Sequence, residues 1–512
     1  MFRYNWICLI ITPVHSLIVV ASYSGLSIAA VIIYEALNLF WWFREKKKWE
    51  KFESNNVWVK KVLSMFNLVY SNFLNSPNTR QLVENTVIVL GEDRPVGYYG
   101  PTHNERSVRK RIFDIRIAET LLALSGLIYH RNIGEVRKAV KKFSEANKMH
   151  AEANELAKGR PNDPQVTHVR DKANRFEREA TQHLKTSVES IKTKAETWGF
   201  KFTSMEEFSE TNHINSVAGP FCGVYTSTSH PAIVIAFKGT SVDSFEEILV
   251  DAVVQRVDAR PYLYGATHQG FYEALFSNSG WCDNTGRDPY NRIIRFINEK
   301  AIELQERLQT NDKIQLWVTG HSLGAGVSTL FFARLLKCPE DLENCQLRDC
   351  YTFGSPAVGD SEFASIFSSY TLAPLSRSST LWRVVNNKDV VCKIPLAKNK
   401  KTAGFYMKKT NFFNYFHVGH AVVLDADSSE RPIREFASAY RASTDVLFSL
   451  GDWMPDGRVN FETEDDRLGS LPGRWQSLKK YLPISITDHA VEMYMAGLEK
   501  AHEYCRGIAD QA

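Results

Sequence analysis

The tightest constraint on this 512-residue chain is five residues long. Gly320-His321-Ser322-Leu323-Gly324 has the form G-x-S-x-G and stands between two patterns of different period. Before it, Ile314–Thr319 is a short apolar, partly β-branched run that reads as a buried strand. After it, Val327–Leu336 reads as a helix. A strand that turns sharply into a helix across a serine needs small neighbours, and Gly320, Gly324 and Gly326 supply them. Ser322 is then exposed at a helix N-terminus, whose dipole favours developing negative charge.

The same alternation recurs from Phe200 onward. Ala232–Phe237, Tyr351–Phe353, Leu381–Val385 and Ala421–Leu424 are further strand candidates. Buried strands separated by helices predict an α/β sheet with functional groups at strand ends. A serine hydroxyl is a poor nucleophile near neutral pH. A histidine must take its proton, and a carboxylate must orient that histidine. Asp389, in the turn after Leu381–Val385, is the candidate acid. His417, His420 and His489 compete for the base, and distance along the chain does not choose among them.

Composition narrows the partners. A net charge of +4 carries no nucleic-acid signature. Eight cysteines are scattered, and the closest group, Cys338, Cys345 and Cys350, has no histidine at zinc-like spacing. No metal or cofactor is expected.

The N-terminal part differs. From Trp6 to Phe43 the only formally charged side chain is Glu35, which allows one long membrane span or a hairpin broken around Ser22–Gly25. A cleaved signal peptide fits poorly, because the apolar run is too long and only Arg3 precedes it. Phe40, Trp41, Trp42 and Phe43 resemble an interfacial belt. Arg44, Lys46, Lys47, Lys48 and Lys51 follow and predict a cytosolic downstream chain, on the endoplasmic reticulum or a lipid droplet. The absence of any N-x-Ser/Thr sequon agrees. Asp114–Arg131 reads as an amphipathic helix with Ile117, Leu121, Leu124 and Ile128 at helical spacing. Glu135–Trp198 is rich in Lys, Glu, Ala and Arg and is interrupted at residues 159–164, so it reads as two helices joined by a turn. A solvated insertion and a partner-binding coiled coil are both open for it. The expected units are a membrane anchor at 1–45, a helical region at 46–133, a charged helical hairpin at 134–198 and a catalytic domain at 199–512.

Taken together, the motifs resemble the class 3 lipases, the fungal triacylglycerol lipase family. Phe237-Lys238-Gly239-Thr240-Ser241 resembles the family's F-[RK]-G-[ST] segment, and His268-Gln269-Gly270-Phe271 its H-x-G-F. Gly320–Gly324 matches G-H-S-L-G, and Tyr351-Thr352-Phe353-Gly354-Ser355-Pro356 resembles the strand and loop that follow. Asn386-Asn387-Lys388-Asp389-Val390-Val391 matches the acid motif. His417-Val418-Gly419 resembles a non-catalytic segment, and Asp488-His489 with Tyr494 resembles D-H-x-x-Y. The resemblance implies an α/β-hydrolase fold with a mostly parallel sheet, here with an N-terminal membrane helix and the charged hairpin added. It implies Ser322, Asp389 and His489 as the catalytic set, and so favours His489 as base. Leu323 and Thr240 are implied as oxyanion donors. Val242–Val254 is implied as a lid helix, with Phe245, Ile248, Leu249, Ala252 and Val253 forming one apolar face and Asp243 and Glu246 a capping pair. The expected activity is acylglycerol hydrolysis at a membrane or droplet surface. A phospholipase A1 or galactolipase is the alternative enzyme, and a membrane-anchored scaffold the non-enzymatic one. The stretch from Leu424 to Pro483 is longer than compact secreted members carry, and the membrane segment and hairpin are extra.

Overall fold

The computed structural model describes residues 74–92, 110–159, 163–204, 221–239, 256–276, 288–368, 379–387, 389, 391–393, 415–425, 428, 431–436, 445–450 and 488–509. The apolar segment 6–43, Thr240 and the expected lid 242–254 lie outside them. Among the described residues no helix is long and apolar enough to cross a membrane.

The strands are β1 (Lys110–Asp114), β2 (Phe200–Ser204), β3 (Cys222–Ser227), β4 (Ala232–Phe237), β5 (Arg256–Asp258), β6 (Ala266–His268), β7 (Ile314–His321), β8 (Cys345–Phe353), β9 (Leu381–Asn386), β10 (His420–Leu424), β11 (Ile433–Phe436) and β12 (Asp445–Ser449). The helices are α1 (Pro77–Leu90), α2 (Ile115–Leu127), α3 (Ile133–Gly159), α4 (Pro164–Ser187), α5 (Glu189–Thr197), α6 (Gln269–Phe276), α7 (Pro289–Leu308), α8 (Leu323–Lys337), α9 (Ser361–Ser368) and α10 (Val491–Ala509).

Eight strands form one sheet in the order β11-β10-β9-β8-β7-β4-β3-β2. The five central strands run parallel. The edges are antiparallel: β10 with β11, β4 with β3, and β3 with β2. Both faces are covered, and β4 shows it residue by residue. Ala232, Val234 and Ala236 belong to one core, while Ile233, Ile235 and Phe237 belong to the other. A strand buried on both faces therefore reads as a continuous apolar run. On one side lie α2 and α10, which contribute Leu121, Leu124, Val491, Tyr494 and Leu498. On the other lie α6, α7 and α8. This is the α/β-hydrolase architecture with a mixed central sheet.

Two elements differ from their sequence patterns. The helix expected to be amphipathic, α2, is buried at nearly every position, Glu119, Thr120 and Ser125 included. It is pressed between the sheet and α10. Thr319 and Tyr225 from the sheet donate to its Leu121 and Leu124 carbonyls, and His502 of α10 lies 3.3 Å from Glu119. The described residues of the segment set apart as 46–133, 74–92 and 110–133, thus contribute to the same core as the sheet. Strand β8 begins six residues before the expected Tyr351, because its apolar run is broken by Arg348 and Asp349. Leu316 pairs with Leu347 but Val318 with Cys350, so β8 carries one extra residue. Asp349 accepts from Trp382 Nε1 and Thr380 N, each at 2.8 Å, which satisfies the buried charge.

The charged stretch forms α3 and α4, with the additional short helix α5 leading into β2. Asp163 caps α4 by accepting from the Gln165 amide, with Pro164 in the first turn. The seam between α3 and α4 is thin. Val136, Ala139, Phe143, Ala180 and Leu184 form its only apolar cluster among the described residues. Ion pairs flank it, including Lys142–Glu179 at 2.6 Å and His183–Glu135 at 2.7 Å.

Candidate active site

Strand β7 delivers its last residue, His321, directly into Ser322, and α8 begins at Leu323. Ser322 has φ 61° and ψ −133°, a conformation that costs a non-glycine residue about 1–3 kcal/mol. The turn is held from several sides. The Ser322 amide donates to the Phe353 carbonyl at 2.9 Å, and Ser328 Oγ lies 2.8 Å from both the Thr319 and Gly324 carbonyls. A Cβ on Gly324 would meet the Phe237 carbonyl oxygen at 2.1 Å, so the elbow closes against β4 only with glycine there.

Ser322 Oγ lies 2.9 Å from His489 Nε2, and His489 Nδ1 lies 2.8 Å from Asp389 Oδ2. Asp389 follows β9, and His489 precedes α10. These two elements neighbour the elbow on the sheet's carboxyl-end side. The Asp389 side chain is fully buried. Its Oδ2 also accepts from the Tyr494 hydroxyl at 2.6 Å, and its Oδ1 from the Val391 amide at 2.8 Å. Cys392 Sγ is 3.6 Å from the same carboxylate. Burial opposes ionisation, but the His489 ring and the Tyr494 and Val391 donors outweigh it and hold the carboxyl below its ordinary range. An ionised Asp389 accepts from His489 Nδ1–H, which leaves Nε2 as the acceptor for the Ser322 hydroxyl. Gly354, at φ +62°, makes room for this contact. A Cβ there would lie 2.8 Å from His489 Cε1 and 3.0 Å from Asp389 Oδ2. The Asn386 side chain donates to the Asp488 carbonyl at 2.9 Å and secures the loop that carries His489.

The other two histidines have different partners. His417 Nε2 lies 2.8 Å from the Cys392 carbonyl, and burial together with nearby Arg383 keeps its ring neutral, well below the usual histidine range. His420 lies in β10, with Nδ1 3.9 Å from Glu435 of the neighbouring strand. Ser322 and Asp389 are thus brought together with His489.

Leu323 occupies the first position of α8, where a backbone N–H has no intrahelical acceptor. Thr240 lies one residue beyond the described segment that ends at Gly239. A Cβ on Gly239 would fall 2.9 Å from Ser322 Cβ and 2.6 Å from the His321 carbonyl oxygen, so the turn after β4 abuts the elbow. Phe245, Ile248, Leu249, Ala252 and Val253 lie outside the described residues. Phe271, from the H-x-G-F segment, stacks on His268 and fills the space beside Gly326 in the first turn of α8.

Sequence reasoning missed Tyr129 and the roles of His321 and Cys392. Tyr129 Oη lies 3.0 Å from His321 Nδ1, and His321 Nε2 lies 2.8 Å from the His489 carbonyl oxygen. No local pattern marks Tyr129. It stands 192 residues before His321 in a segment with no motif. Cys392 was in view as a cysteine, but its contact with the acid depends on the fold of the turn after β9.

Residues 234–399 match the family model described as Lipase (class 3). The chain is similar to the Arabidopsis thaliana protein named Triacylglycerol lipase OBL1, at 27% identity over 39% of this chain and 38% of that one. It is also similar to Phospholipase A1-IIgamma of the same plant, at 23% identity over 48% of this chain and 58% of that one. A Lipase of Rhizopus niveus is 27% identical over 34% of this chain and 37% of that one. The chain therefore spans less than two thirds of the length of these curated relatives. Among solved structures, a fungal lipase–inhibitor complex aligns at 21% identity over 48% of this chain and 74% of that one, with a TM-score of 0.29.

Proposed function

We propose that this chain, whose residues 234–399 match the class 3 lipases, is a serine carboxylic ester hydrolase that acts on acylglycerols. The observation that carries the reading is the continuous hydrogen-bonded line from Ser322 Oγ through His489 to the buried Asp389 carboxylate, beneath a strained elbow. In the first half-reaction His489 Nε2 takes the hydroxyl proton as Ser322 Oγ bonds to the ester carbonyl carbon. The carbonyl oxygen becomes an oxyanion held by the backbone N–H of Leu323 and by Thr240, each worth about 3–4 kcal/mol. Collapse breaks the bond to the alcohol, which leaves with the proton from His489. Water, deprotonated by the same imidazole, then releases the fatty acid from Ser322.

Triacylglycerol is the preferred substrate class in this proposal, following OBL1, and phospholipid is the second reading, following Phospholipase A1-IIgamma. A fluorophosphonate probe applied to the full chain should label Ser322 and should fail to label Ser322→Ala. Product analysis on a panel of acylglycerols, phospholipids and galactolipids then assigns the substrate. Labelling that survives in Ser322→Ala rejects the reading.

We also propose that residues 6–43 anchor the chain in a membrane with the catalytic unit on the cytosolic side, and that Val242–Val254 is a lid. The apolar run, its basic flank and the amphipathic spacing support this. A catalytic unit protected from protease in intact microsomes would reject the topology. Leu249→Asp should impair hydrolysis of emulsified long-chain triacylglycerol and spare soluble short-chain esters. Equal loss on both would mean that the helix packs permanently on the core.

A further inference from the structure

Tyr129 lies in the single 3₁₀ turn Ile128–His130 between α2 and the charged hairpin, far outside the matched span 234–399. Its base is secured from both sides. The Asn132 amide donates to the Ser187 carbonyl at 2.8 Å, and Arg131 covers the Phe221 ring at 4.0 Å. The ring itself lies under the Lys238 ammonium at 5.2 Å, and the Gly239 amide donates to its oxygen. The hydroxyl therefore has little freedom, and it reaches His321 Nδ1 at 3.0 Å, closer than the His321 carbonyl oxygen at 3.3 Å.

The proton on each nitrogen follows from the partners. His321 Nε2 faces the His489 carbonyl oxygen at 2.8 Å, and a carbonyl only accepts, so Nε2 carries the hydrogen. Burial, with the His489 ring beside it, pushes the His321 imidazolium down to about 3, so the ring is neutral and Nδ1 holds a lone pair. Burial also pushes the Tyr129 phenol above its usual value, so it stays protonated and donates to that lone pair. In the other tautomer two lone pairs would face each other at the His489 carbonyl. The two imidazoles are also stacked, with centroids 4.6 Å apart and planes 28° apart, so displacement of the His321 ring displaces the His489 ring.

We propose that Tyr129 is a positioning residue for the hydrolytic reaction: its hydroxyl fixes His321 in the Nε2–H tautomer that holds the His489 carbonyl and ring over Ser322. The inference rests on the ester hydrolase reading above and deepens it. It makes the helical layer preceding the matched span part of the working site, through the hydrogen bond from the Tyr129 hydroxyl to His321.

The test uses the full chain and a soluble short-chain ester. Tyr129→Phe keeps the ring and should lower kcat about 10- to 100-fold, the scale of a small misplacement of a reacting group, with KM changed less than about twofold and melting near wild type. A glutamine amide has no tautomer to choose, so Tyr129→Phe introduced into His321→Gln should change kcat by less than about threefold. That loss of additivity is the signature of action through His321, and a merely structural role would not produce it. Unchanged kcat in Tyr129→Phe, in a protein whose Ser322 still takes the fluorophosphonate, overturns this inference and leaves the hydrolase reading intact. An equal fall in both backgrounds overturns it as well, because Tyr129 would then act by another route. Failure of the wild-type chain to label at Ser322 overturns both.

Discussion

Two histidine–carboxylate pairs in this chain have nearly the same length and different surroundings. On the hairpin, His183 Nδ1 lies 2.7 Å from Glu135 Oε2, with side chains 31% and 16% exposed. At the candidate active site His489 Nδ1 lies 2.8 Å from Asp389 Oδ2, with 10% and 0% exposed. Glu135 is also held by Lys138, the stronger influence, and water can replace either partner. Asp389 has no such replacement. Its carboxylate is ionised only because His489, Tyr494 and Val391 together outweigh the cost of burial. Separation does not distinguish the two pairs. What does is whether solvent can take over when a partner is removed.

The sharpest way to break the comparison is to remove each histidine. On the proposed reading His489→Ala leaves Ser322 without an acceptor for its proton, and kcat should fall by about 10⁶, as in the serine variant. Asp389→Asn should cost less, about 10⁴, because the imidazole remains but an amide that can also donate no longer enforces its Nδ1–H tautomer. His417→Ala and His420→Ala should retain activity within about tenfold, since their hydrogen-bond and ion-pair partners lie away from Ser322. Initial rates on one ester, at matched thermal stability, check the set. Substantial activity in His489→Ala, with loss in either of the others, would reassign the base.

How much of this was legible in the sequence follows from how local each cause is. The elbow is local: glycine spacing, a strand before and a helix after all sit within about twenty residues, and the close approach of Gly324 to Phe237 shows why the spacing is needed. Strand β4 was legible to the residue, because both faces are buried and no polar position interrupts it. The meeting of Asp389 with His489 was not legible from spacing. The two lie 100 residues apart, with three histidines available, and only the resemblance favoured one. Strands β2 and β3 carry mixed Lys, Thr, Ser and Gly patterns and give no clear apolar run. Helix α2 showed a stripe but hid its full burial, because Glu119 meets its polar partner, His502 of α10, 383 residues away. Tyr129 lacked any signal for the same reason.

Asp114 offers an intermediate case, a buried carboxylate with modest help. It caps α2, accepting from the Arg116 and Ile117 amides at 3.0 and 3.1 Å. Burial outweighs those donors and the Arg116 charge and raises the carboxyl to about 6. The sign is therefore opposite to that of Asp389. The native state holds this proton longer than the unfolded chain, so stability falls as pH rises from about 4 to about 6, and the full penalty persists above. Asp114→Asn keeps a side-chain oxygen for the cap and carries no charge. It should raise stability at pH 8 by on the order of 1–3 kcal/mol and lose that advantage near pH 4. Melting curves at the two pH values decide. A variant that melts lower than wild type at pH 8 would show that the ionised cap is net stabilising.

The smallest effect is expected on the hairpin. Glu135 is half-buried on α3, and both of its partners, Lys138 and His183, reach water. Glu135→Gln keeps the length and polarity of the side chain and removes only charge, so the Lys138 ammonium and the His183 ring are solvated where they stand. The Lys138 and His183 hydrogen bonds hold the Glu135 carboxyl below its ordinary range, so any stability they contribute is fully present above that range and is lost as pH falls through the lowered folded-state value. Ester hydrolysis by Glu135→Gln should stay within about twofold of wild type. Its melting midpoint should lie at or slightly below wild type at pH 7 and converge on it as pH falls through the lowered Glu135 value. The same charge-removing change at Asp389 is expected to cost four orders of magnitude in rate. A hairpin variant that lost activity at unchanged melting would therefore show that α3 and α4 are coupled to the Tyr129 turn at their base and do more than pack on one another.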